Sequence, residues 1–433
     1  MTNALFRAAV ATAASAVLAA ALAACGGAPD RSVAPRSAAA AASVGASPAS
    51  VAPSAAGQRG ALLSVQPLQR WDAAQARAFL TSQGVDASRV RFGVDASRIG
   101  YATVDPTGRP TTASALVTQP TAVPGWADER RMVSWQHGTI PARDEVGSMT
   151  ADGSDRAAAV LFAADGYVVS APDYLGLGTG PGFHPYLDLP STVTASIDSV
   201  RATRAYVERA PNPVRLDGQV LVSGHSQGGQ AAMAVGAQLQ RGGDPAFRLA
   251  AVGPIAVPYD VTTTLHTAVT TGIANASAYL AYFTVEWNRL HHLYSSPAEA
   301  FRPPYDRTVP TMLDGNHSSQ DILAVLPPTP AQLFTSDFLA GLTHPTGPLA
   351  EALQVADSSC DWRPSVPVRL YAASGDRDVP IANSRYCQRR VSAAGGAAEL
   401  VDVGDVDHST SELRALPQIL AGFDQLGGPR QGG

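Results

Sequence analysis

The sequence predicts an α/β fold in which a mostly parallel central sheet is flanked by helices. Short apolar runs bounded by turn residues recur along the chain, at 131–136, 166–171, 219–223, 249–257, 368–373 and 399–403. Most of these runs are far enough apart for a crossover helix between them, which is the spacing of parallel strands. The candidate crossover helices, each with small or apolar residues on one face, are 155–164, 191–208 and 230–241.

A helix and a hairpin precede this pattern. Residues 71–83 have the pattern of a short helix, and the runs 99–105 and 112–117 flank a Pro-Thr-Gly-Arg-Pro turn. Two such runs around a turn are typical of a β-hairpin. We therefore expect one domain over residues 61–430, which begins with this hairpin.

The composition excludes several classes of protein. Of the 433 residues, 45% are hydrophobic and 15% are charged, which is typical of a globular chain. The net charge of -5 argues against a nucleic-acid partner. The sequence contains no lysine, so Schiff-base enzymes, Ser-Lys dyads and P-loop enzymes are excluded. No CxxC or HExxH motif occurs, and we predict no metal site.

The first 60 residues look like a targeting and anchoring region. Arg7 is followed by an Ala-rich apolar stretch and by Leu22-Ala-Ala-Cys25, which resembles a bacterial lipobox. The resemblance implies a signal peptide over 1–24, lipidation of Cys25 and export, with an anchor in the bacterial envelope. Gly26 favours the outer membrane of a Gram-negative cell. The alternative is an ordinary cleaved signal and a secreted protein. Residues 25–60 are rich in Ala, Ser and Pro and are expected to form a tether.

Two cysteines remain in the predicted domain. Thiols in an oxidising compartment most often pair, so we predict a disulfide between Cys360 and Cys387. The alternative is a reactive Cys387, but no base or metal-ligand spacing accompanies it.

The candidate nucleophile is Ser226, because it lies between a predicted strand and a predicted helix. The segment reads Gly-His-Ser-Gln-Gly-Gly from Gly224 to Gly229, a G-x-S-x-G pattern around the serine. A nucleophile elbow forces strained backbone angles on its serine, and glycines let the strand and helix approach closely. Gly224 and Gly228 occupy those positions, and His225 completes the predicted elbow. The alternative is a Gly-rich connection without a catalytic role.

A serine nucleophile needs a histidine base, and the histidine needs a carboxylate that holds its tautomer. Two later predicted strands are followed by polar residues. Asp376 and Asp378 follow the strand 368–373, and His408 follows the strand 399–403. Ligands of open α/β sheets bind at this edge of the sheet. We predict that His408 is the general base and Asp378 the orienting acid, with Asp376 as the second candidate.

An ester that is attacked develops negative charge on its carbonyl oxygen, which two backbone N–H groups can stabilise. One donor is expected from Gln227, the residue after the nucleophile. The other is expected from the loop that follows an earlier strand, from Thr139 or, as the second candidate, Gly138. His137 in the same loop is interpreted as a turn residue rather than a second base.

Several motifs in order resemble those of the secretory-lipase branch of the α/β-hydrolases. They are Ser-Trp-Gln-His-Gly-Thr (134–139), Ala-Pro-Asp-Tyr-Leu-Gly-Leu-Gly (171–178), Asp-Ser-Val-Arg-Ala (198–202), Gly-His-Ser-Gln-Gly-Gly (224–229), the group Gly375, Asp378, Val379 and Pro380, and Asp407-His408. The resemblance implies an α/β-hydrolase fold, a serine esterase or lipase that works through an acyl-enzyme, and no cofactor. The sequence departs from the family pattern where Val379 directly follows Asp378, which leaves Asp376 open as the acid.

About 110 residues separate the predicted strand that ends at 257 from the one that begins at 368, which is too many for a loop. The stretch 265–293 is apolar, aromatic and helical in pattern, and 330–342 and 349–356 are shorter helix candidates. In α/β-hydrolases, an insertion at this place is typically a cap, which we expect over about 262–360. Its aromatic residues either line an acyl pocket or, as we favour, pack the cap; the candidates are Tyr282, Phe283 and Trp287.

Asp173 and Tyr174 follow another strand and are also pocket candidates, although an Asp in a Pro-Asp-Tyr loop more often caps a turn.

The partners we expect are a small-molecule or lipid ester and, through the N-terminal anchor, a membrane. Two other functions stay open at this point. One is a peptidase or amidase on the same fold, and the other is a catalytically inactive surface-binding lipoprotein.

Overall fold

The structure is a computed structural model that describes residues 58–121, 129–210 and 213–426. The predictions for the signal peptide, for Cys25 and for nearly all of the tether lie outside these residues. Within them, the strands are β1 (Leu62–Trp71), β2 (Val94–Val104), β3 (Pro110–Pro120), β4 (Glu129–Gln136), β5 (Val168–Pro172), β6 (Arg215–His225), β7 (Arg248–Ile255), β8 (Arg369–Ala372) and β9 (Glu399–Asp402).

The helices that flank the sheet are α1 (Ala73–Ser82), α2 (Ser154–Asp165), α3 (Leu189–Val207), α4 (Gln227–Gln240), α13 (Ala382–Ala393) and α14 (His408–Gln425). Between β7 and β8 lie α5 (Val261–Thr270), α6 (Ala276–His291), α7 (Pro297–Ala300), α8 (Tyr305–Met312), α9 (Ser319–Val325), α10 (Pro330–Leu333), α11 (Ser336–Thr343) and α12 (Gly347–Ala356), followed by a 3₁₀ turn at Asp357–Cys360. We call α5 to this turn the helical insertion.

One sheet contains all the described strands, in the order β1-β2-β3-β5-β4-β6-β7-β8-β9. The pairs β1–β2, β2–β3 and β3–β5 are antiparallel, and the pairs from β5 to β9 are parallel. The mixed sheet with helices on both faces is an α/β-hydrolase fold, as predicted. The predicted hairpin corresponds to β2 and β3, which pair in register from Val94↔Pro120 to Val104↔Pro110.

The parallel strands end at one edge of the sheet, and this edge carries the candidate site. Gln136 of β4 pairs with Gly224 of β6, and the next residue of β6 pairs with Ile255 of β7. Ile255 in turn pairs with Tyr371 of β8, beside the last residues of β9. The loops after β4, β6, β8 and β9 therefore emerge side by side.

Alternating residues of the central strand pack into different layers. Val222 of β6 belongs to an apolar cluster with Met233 of α4, whereas Leu221 belongs to one with Phe162 of α2. Each of these side chains is fully buried. The period of two along a strand thus supplies both faces of the sheet with core side chains.

The helical insertion has its own apolar cluster, to which α5, α6 and α12 contribute, and the rings of Phe283 and Trp287 lie 4.3 Å apart within it. The stretch predicted as one aromatic segment is two helices, α5 and α6. Gly272 (φ 84°) and Asn275 (φ 54°) separate them in left-handed conformations. No helix of the described residues is long and apolar enough to cross a membrane.

A disulfide joins the end of the helical insertion to α13. Cys360 and Cys387 are bonded, with Cα atoms 5.3 Å apart, and both residues are fully buried. The predicted pairing is confirmed. The alternative of a reactive Cys387 is therefore wrong.

Candidate active site

Ser226 lies at a strained turn between β6 and α4. Its backbone has φ 56° and ψ -122°, a conformation that residues other than glycine rarely adopt. A Cβ at Gly224 would lie 2.5 Å from the Gln136 carbonyl oxygen, and one at Gly228 would lie 2.0 Å from it. Only glycine fits at these two positions, so the turn has the geometry of a nucleophile elbow.

The buried acid that contacts His408 is Asp376. Its Oδ2 lies 2.7 Å from Nδ1 of His408, and its side chain is completely inaccessible to solvent. Its Oδ1 accepts hydrogen bonds from the backbone N–H groups of Asp378 and Val379, both at 2.9 Å. The turn after β8 therefore directs the Asp376 carboxylate towards the histidine.

The prediction that Asp378 holds His408 is wrong. Oδ1 of Asp378 accepts hydrogen bonds from Nδ2 of Asn275 at 2.8 Å and from the Tyr279 hydroxyl at 2.9 Å. Both donors belong to the helical insertion, at the start of α6. The two carboxylates of one turn thus face different partners, because the hydrogen bonds inside the turn fix Asp376 on the inner side.

His408 begins α14, next to the elbow. Its ring centroid lies 4.5 Å from that of His225, the residue before Ser226. Nε2 of His225 donates to the His408 carbonyl oxygen at 3.2 Å, and the Ser411 hydroxyl donates to the same oxygen at 2.6 Å. Ser226 and His408 are 6% and 9% exposed, so the nucleophile and base candidates are both buried.

The loop after β4 packs directly against the elbow. A Cβ at Gly138 would lie 3.8 Å from Cβ of Ser226. The Thr139 hydroxyl lies 3.0 Å from the hydroxyl of Tyr186. Both candidates for the second oxyanion donor therefore belong to a loop that adjoins the elbow.

His137 is held by carbonyl oxygens. Its Nδ1 lies 2.7 Å from the Gly138 oxygen and its Nε2 lies 3.2 Å from the Asp173 oxygen. The two ring nitrogens therefore face backbone carbonyl oxygens, one in the same loop and one in the loop after β5. This arrangement favours the turn-shaping interpretation over a role as a second base.

A cluster of buried ring side chains packs beside Gln227. His184 receives a hydrogen bond from Nε2 of Gln227 at 2.8 Å, and burial lowers the pKa of His184 to about 3. The rings of Tyr186 and Tyr282 lie 4.6 Å apart, and each lies 6.2 Å from the ring of His184. The Tyr282 hydroxyl also donates to the Ile140 carbonyl at 3.3 Å, which joins α6 to the loop after β4.

The other pocket candidates are buried and contact residues of the protein core. Asp173 is 1% exposed and accepts hydrogen bonds from the hydroxyls of Ser114 and Ser148, both at 2.6 Å. Tyr174 is also 1% exposed. Phe283 belongs to the apolar cluster of the helical insertion, and Trp287 donates through its indole to the Tyr186 carbonyl at 2.8 Å. Of the predicted set, Tyr282 is therefore the side chain that belongs to the buried ring cluster beside Gln227.

Sequence reasoning missed four side chains around the site: Asn275 and Tyr279, which hold Asp378, and His184 and Tyr186, which are buried beside Gln227 and Thr139. His184 and Tyr186 occur in a Gly-Phe-His-Pro-Tyr segment shortly after β5, whose dense aromatic residues were the available signal. Asn275 and Tyr279 carried no comparable signal.

Comparisons with known proteins place this geometry among hydrolases. No protein-family model and no curated protein matches the sequence. A candidate hydrolase from Legionella pneumophila is 27% identical over 84% of this chain and 98% of its own, with a TM-score of 0.76. A ligand-bound form of the rice cell wall degrading esterase LipA from Xanthomonas oryzae is 26% identical over 85% and 98%, with a TM-score of 0.76.

Candida antarctica lipase A is a more distant neighbour. It is 16% identical over 85% of this chain and 82% of its own, with a TM-score of 0.62, so this similarity shows the fold alone. The Legionella hydrolase and the esterase LipA support ester hydrolysis in general. The chain has an α/β-hydrolase fold and is similar to these hydrolases and esterases.

Proposed function

We propose that the protein hydrolyses carboxylic esters through an acyl-enzyme on Ser226. The observation that carries the proposal is the buried Asp376–His408 hydrogen bond beside a strained nucleophile elbow. In the proposed reaction, Nε2 of His408 takes the Ser226 proton while Oγ attacks the ester carbon. The same proton then passes to the departing alcohol. A water molecule, activated by His408, releases the acid and restores Ser226.

Asp376 is the orienting acid of this proposal. Its contact at Nδ1 keeps the proton of neutral His408 on that nitrogen, which leaves Nε2 free to accept the serine proton. The positive charge that forms on His408 is stabilised by the buried carboxylate. The backbone N–H groups of Gln227 and Thr139 are the proposed donors to the oxyanion, and each such donor is worth a few kcal/mol.

We further propose an exogenous ester as substrate. A neighbour that covers nearly the same length is described as a rice cell wall degrading esterase, which favours esters of plant cell-wall material as the first substrates to test.

Export and anchoring through Cys25 remain part of the proposal. They are supported by the Leu-Ala-Ala-Cys sequence and by the buried disulfide of Cys360 and Cys387, since structural disulfides persist in oxidising compartments. Metabolic labelling with a radioactive or clickable fatty acid tests the anchor. We expect label in the wild type and none in Cys25→Ala; equal label in both would exclude lipidation at this residue.

Turnover of p-nitrophenyl esters of increasing acyl length tests the reaction, with Ser226→Ala as the control. We expect a burst of p-nitrophenol in the wild type and loss of at least about 10³-fold in the variant. Faster cleavage of aminoacyl p-nitroanilides than of esters would instead indicate a peptidase. Equal rates for wild type and variant would refute the proposed nucleophile.

A further inference from the structure

Two buried titratable side chains behind the elbow have no part in the proposed reaction. His225 is 9% exposed and Glu412, in the first turns of α14, is 3% exposed. Nδ1 of His225 lies 3.5 Å from Oε2 of Glu412, while Nε2 of the same ring lies 3.2 Å from the His408 carbonyl oxygen. One imidazole thus connects a buried carboxyl to the backbone of the proposed general base.

The hydrogen bonds fix the proton on His225. A carbonyl oxygen only accepts, so Nε2 of His225 carries the hydrogen. Burial and the neighbouring His408 lower the pKa of His225 well below its ordinary value. The ring is therefore neutral, and its Nδ1 presents a lone pair towards Glu412.

A carboxylate facing that lone pair would be repelled, whereas a carboxylic acid can donate to it. Burial raises the pKa of Glu412 to about 8, and the nearby Asp155 carboxyl adds to the effect. In the described part of the chain, Oε1 of Glu412 has no hydrogen-bond partner, as expected for a carboxyl that does not form an ion pair. The site therefore suits the neutral acid.

The surroundings of Glu412 come from three elements. Asp155 and the Ser154 hydroxyl approach from the start of α2, His225 approaches from the elbow, and His408 lies one turn earlier on α14. Asp155 in turn accepts from the Trp135 indole at 3.1 Å and lies near His137.

We propose that Glu412, as a neutral carboxylic acid, donates a hydrogen bond to Nδ1 of His225 and thereby positions the backbone of His408. Glu412 is a positioning residue for the same site, and this inference rests on the proposed function. Ionisation of Glu412 places a negative charge against the lone pair of His225, which loosens the hold on the His408 carbonyl. Activity then falls on the alkaline side although Ser226 and Asp376 are unchanged.

The pH dependence of kcat/KM between pH 6 and 10 tests this role. In the wild type we expect kcat/KM to fall above pH 8 towards a plateau about tenfold lower, as the neutral acid is depleted. Glu412→Gln keeps an N–H donor for Nδ1 and cannot ionise, so it should retain most activity and lose this alkaline limb. Glu412→Leu removes the donor and should lower kcat about tenfold at pH 7 with little change in KM.

The matched control is Glu286→Gln, because Glu286 of α6 is also buried, at 2% exposed, and burial raises its pKa to about 7. It should leave the alkaline limb in place. An unchanged alkaline limb in Glu412→Gln would overturn the inference, and so would full activity of Glu412→Leu at pH 7.

A second readout does not depend on activity. In Ser226→Ala labelled with ¹³C-glutamate and ¹⁵N-histidine, one of the eight glutamate carboxyls should titrate near pH 8 and disappear in Glu412→Gln. The His408 resonances should shift with the same midpoint. If no ester is hydrolysed but this titration is seen, the proposed function is wrong, whereas the conclusion that Glu412 is protonated at neutral pH is retained. A carboxyl at position 412 that ionises near pH 4.5 would overturn the inference.

Discussion

Replacing Asp376 by asparagine should nearly abolish activity, and the structure gives the reason. Oδ1 of Asp376 already accepts the backbone N–H groups of Asp378 and Val379, so the carbonyl oxygen of an asparagine must stay there. Its NH₂ group then faces Nδ1 of His408 at the position of Oδ2, 2.7 Å away. An N–H donor at this place makes Nδ1 an acceptor and moves the ring proton to Nε2, which then cannot take the proton of Ser226.

The expected loss follows from this wrong tautomer. A triad aspartate replaced by asparagine lowers kcat by about 10⁴-fold, which corresponds to about 5.4 kcal/mol at 1.36 kcal/mol per tenfold change. The Asp376 side chain is completely buried, so bulk water cannot replace the lost carboxylate. We therefore expect the loss to approach this full value rather than a fraction of it.

The matched control is Asp378→Asn, two residues away in the same turn. Its two side-chain partners, Asn275 and Tyr279, both donate to one oxygen, which an asparagine retains. We expect kcat/KM for a p-nitrophenyl ester within about threefold of the wild type, with thermal unfolding measured to show that both variants fold. Loss of activity in Asp378→Asn together with an active Asp376→Asn would refute the assignment.

Three further predictions concern the scaffold. Gly228→Ala places a Cβ 2.0 Å from the Gln136 carbonyl oxygen and should lower the free energy of unfolding by about 1–3 kcal/mol. In the control Gly341→Ala, in α11, the new Cβ meets no atom within 4 Å, and this variant should be more stable by up to about 1 kcal/mol. Chemical denaturation measures both variants, and an unchanged stability of Gly228→Ala would contradict the elbow geometry. Removing the disulfide in Cys360→Ala/Cys387→Ala should cost about 3 kcal/mol, since the bonded cysteines are 27 residues apart, and a melting temperature equal to that of the wild type would contradict this. Tyr279→Phe removes one of the two donors to Asp378 and should cost about 1 kcal/mol by the same denaturation assay, while Tyr305→Phe, of the same insertion, serves as a control.

The sequence predicted the central elements of the fold because the central strands are buried almost continuously and therefore appear as apolar runs bounded by turn residues. The strands β4 to β9 correspond to the predicted apolar runs, and α2, α3 and α4 to the predicted crossover helices. The strand β1 was not predicted. It lies at the edge of the sheet, contains Pro67 and a register shift between Pro67 and Gln69, and alternates poorly between buried and exposed residues. An edge strand of this kind has little pattern to detect.

Site residues could be predicted where steric limits on the backbone restrict the residue type. They could not be predicted where the role of a residue depends on the direction of its side chain. Ser226 and its glycines follow from the steric limits of a strand-to-helix turn, which appear in the sequence as small residues. Asp376 and Asp378 occur in one short turn, and no local pattern says which carboxylate faces inward. The contact of His225 with the His408 carbonyl joins residues 183 positions apart, so sequence spacing carries no information about it.

The turn after β8 explains how the helical insertion and the general base are connected. The backbone N–H of Asp378 bonds the carboxylate that holds His408, while its side chain bonds the start of α6. Asp378 therefore links the start of α6 to the Asp376–His408 hydrogen bond through a single residue. Asp378 thus has a defined role in the fold although it is not the acid that contacts His408.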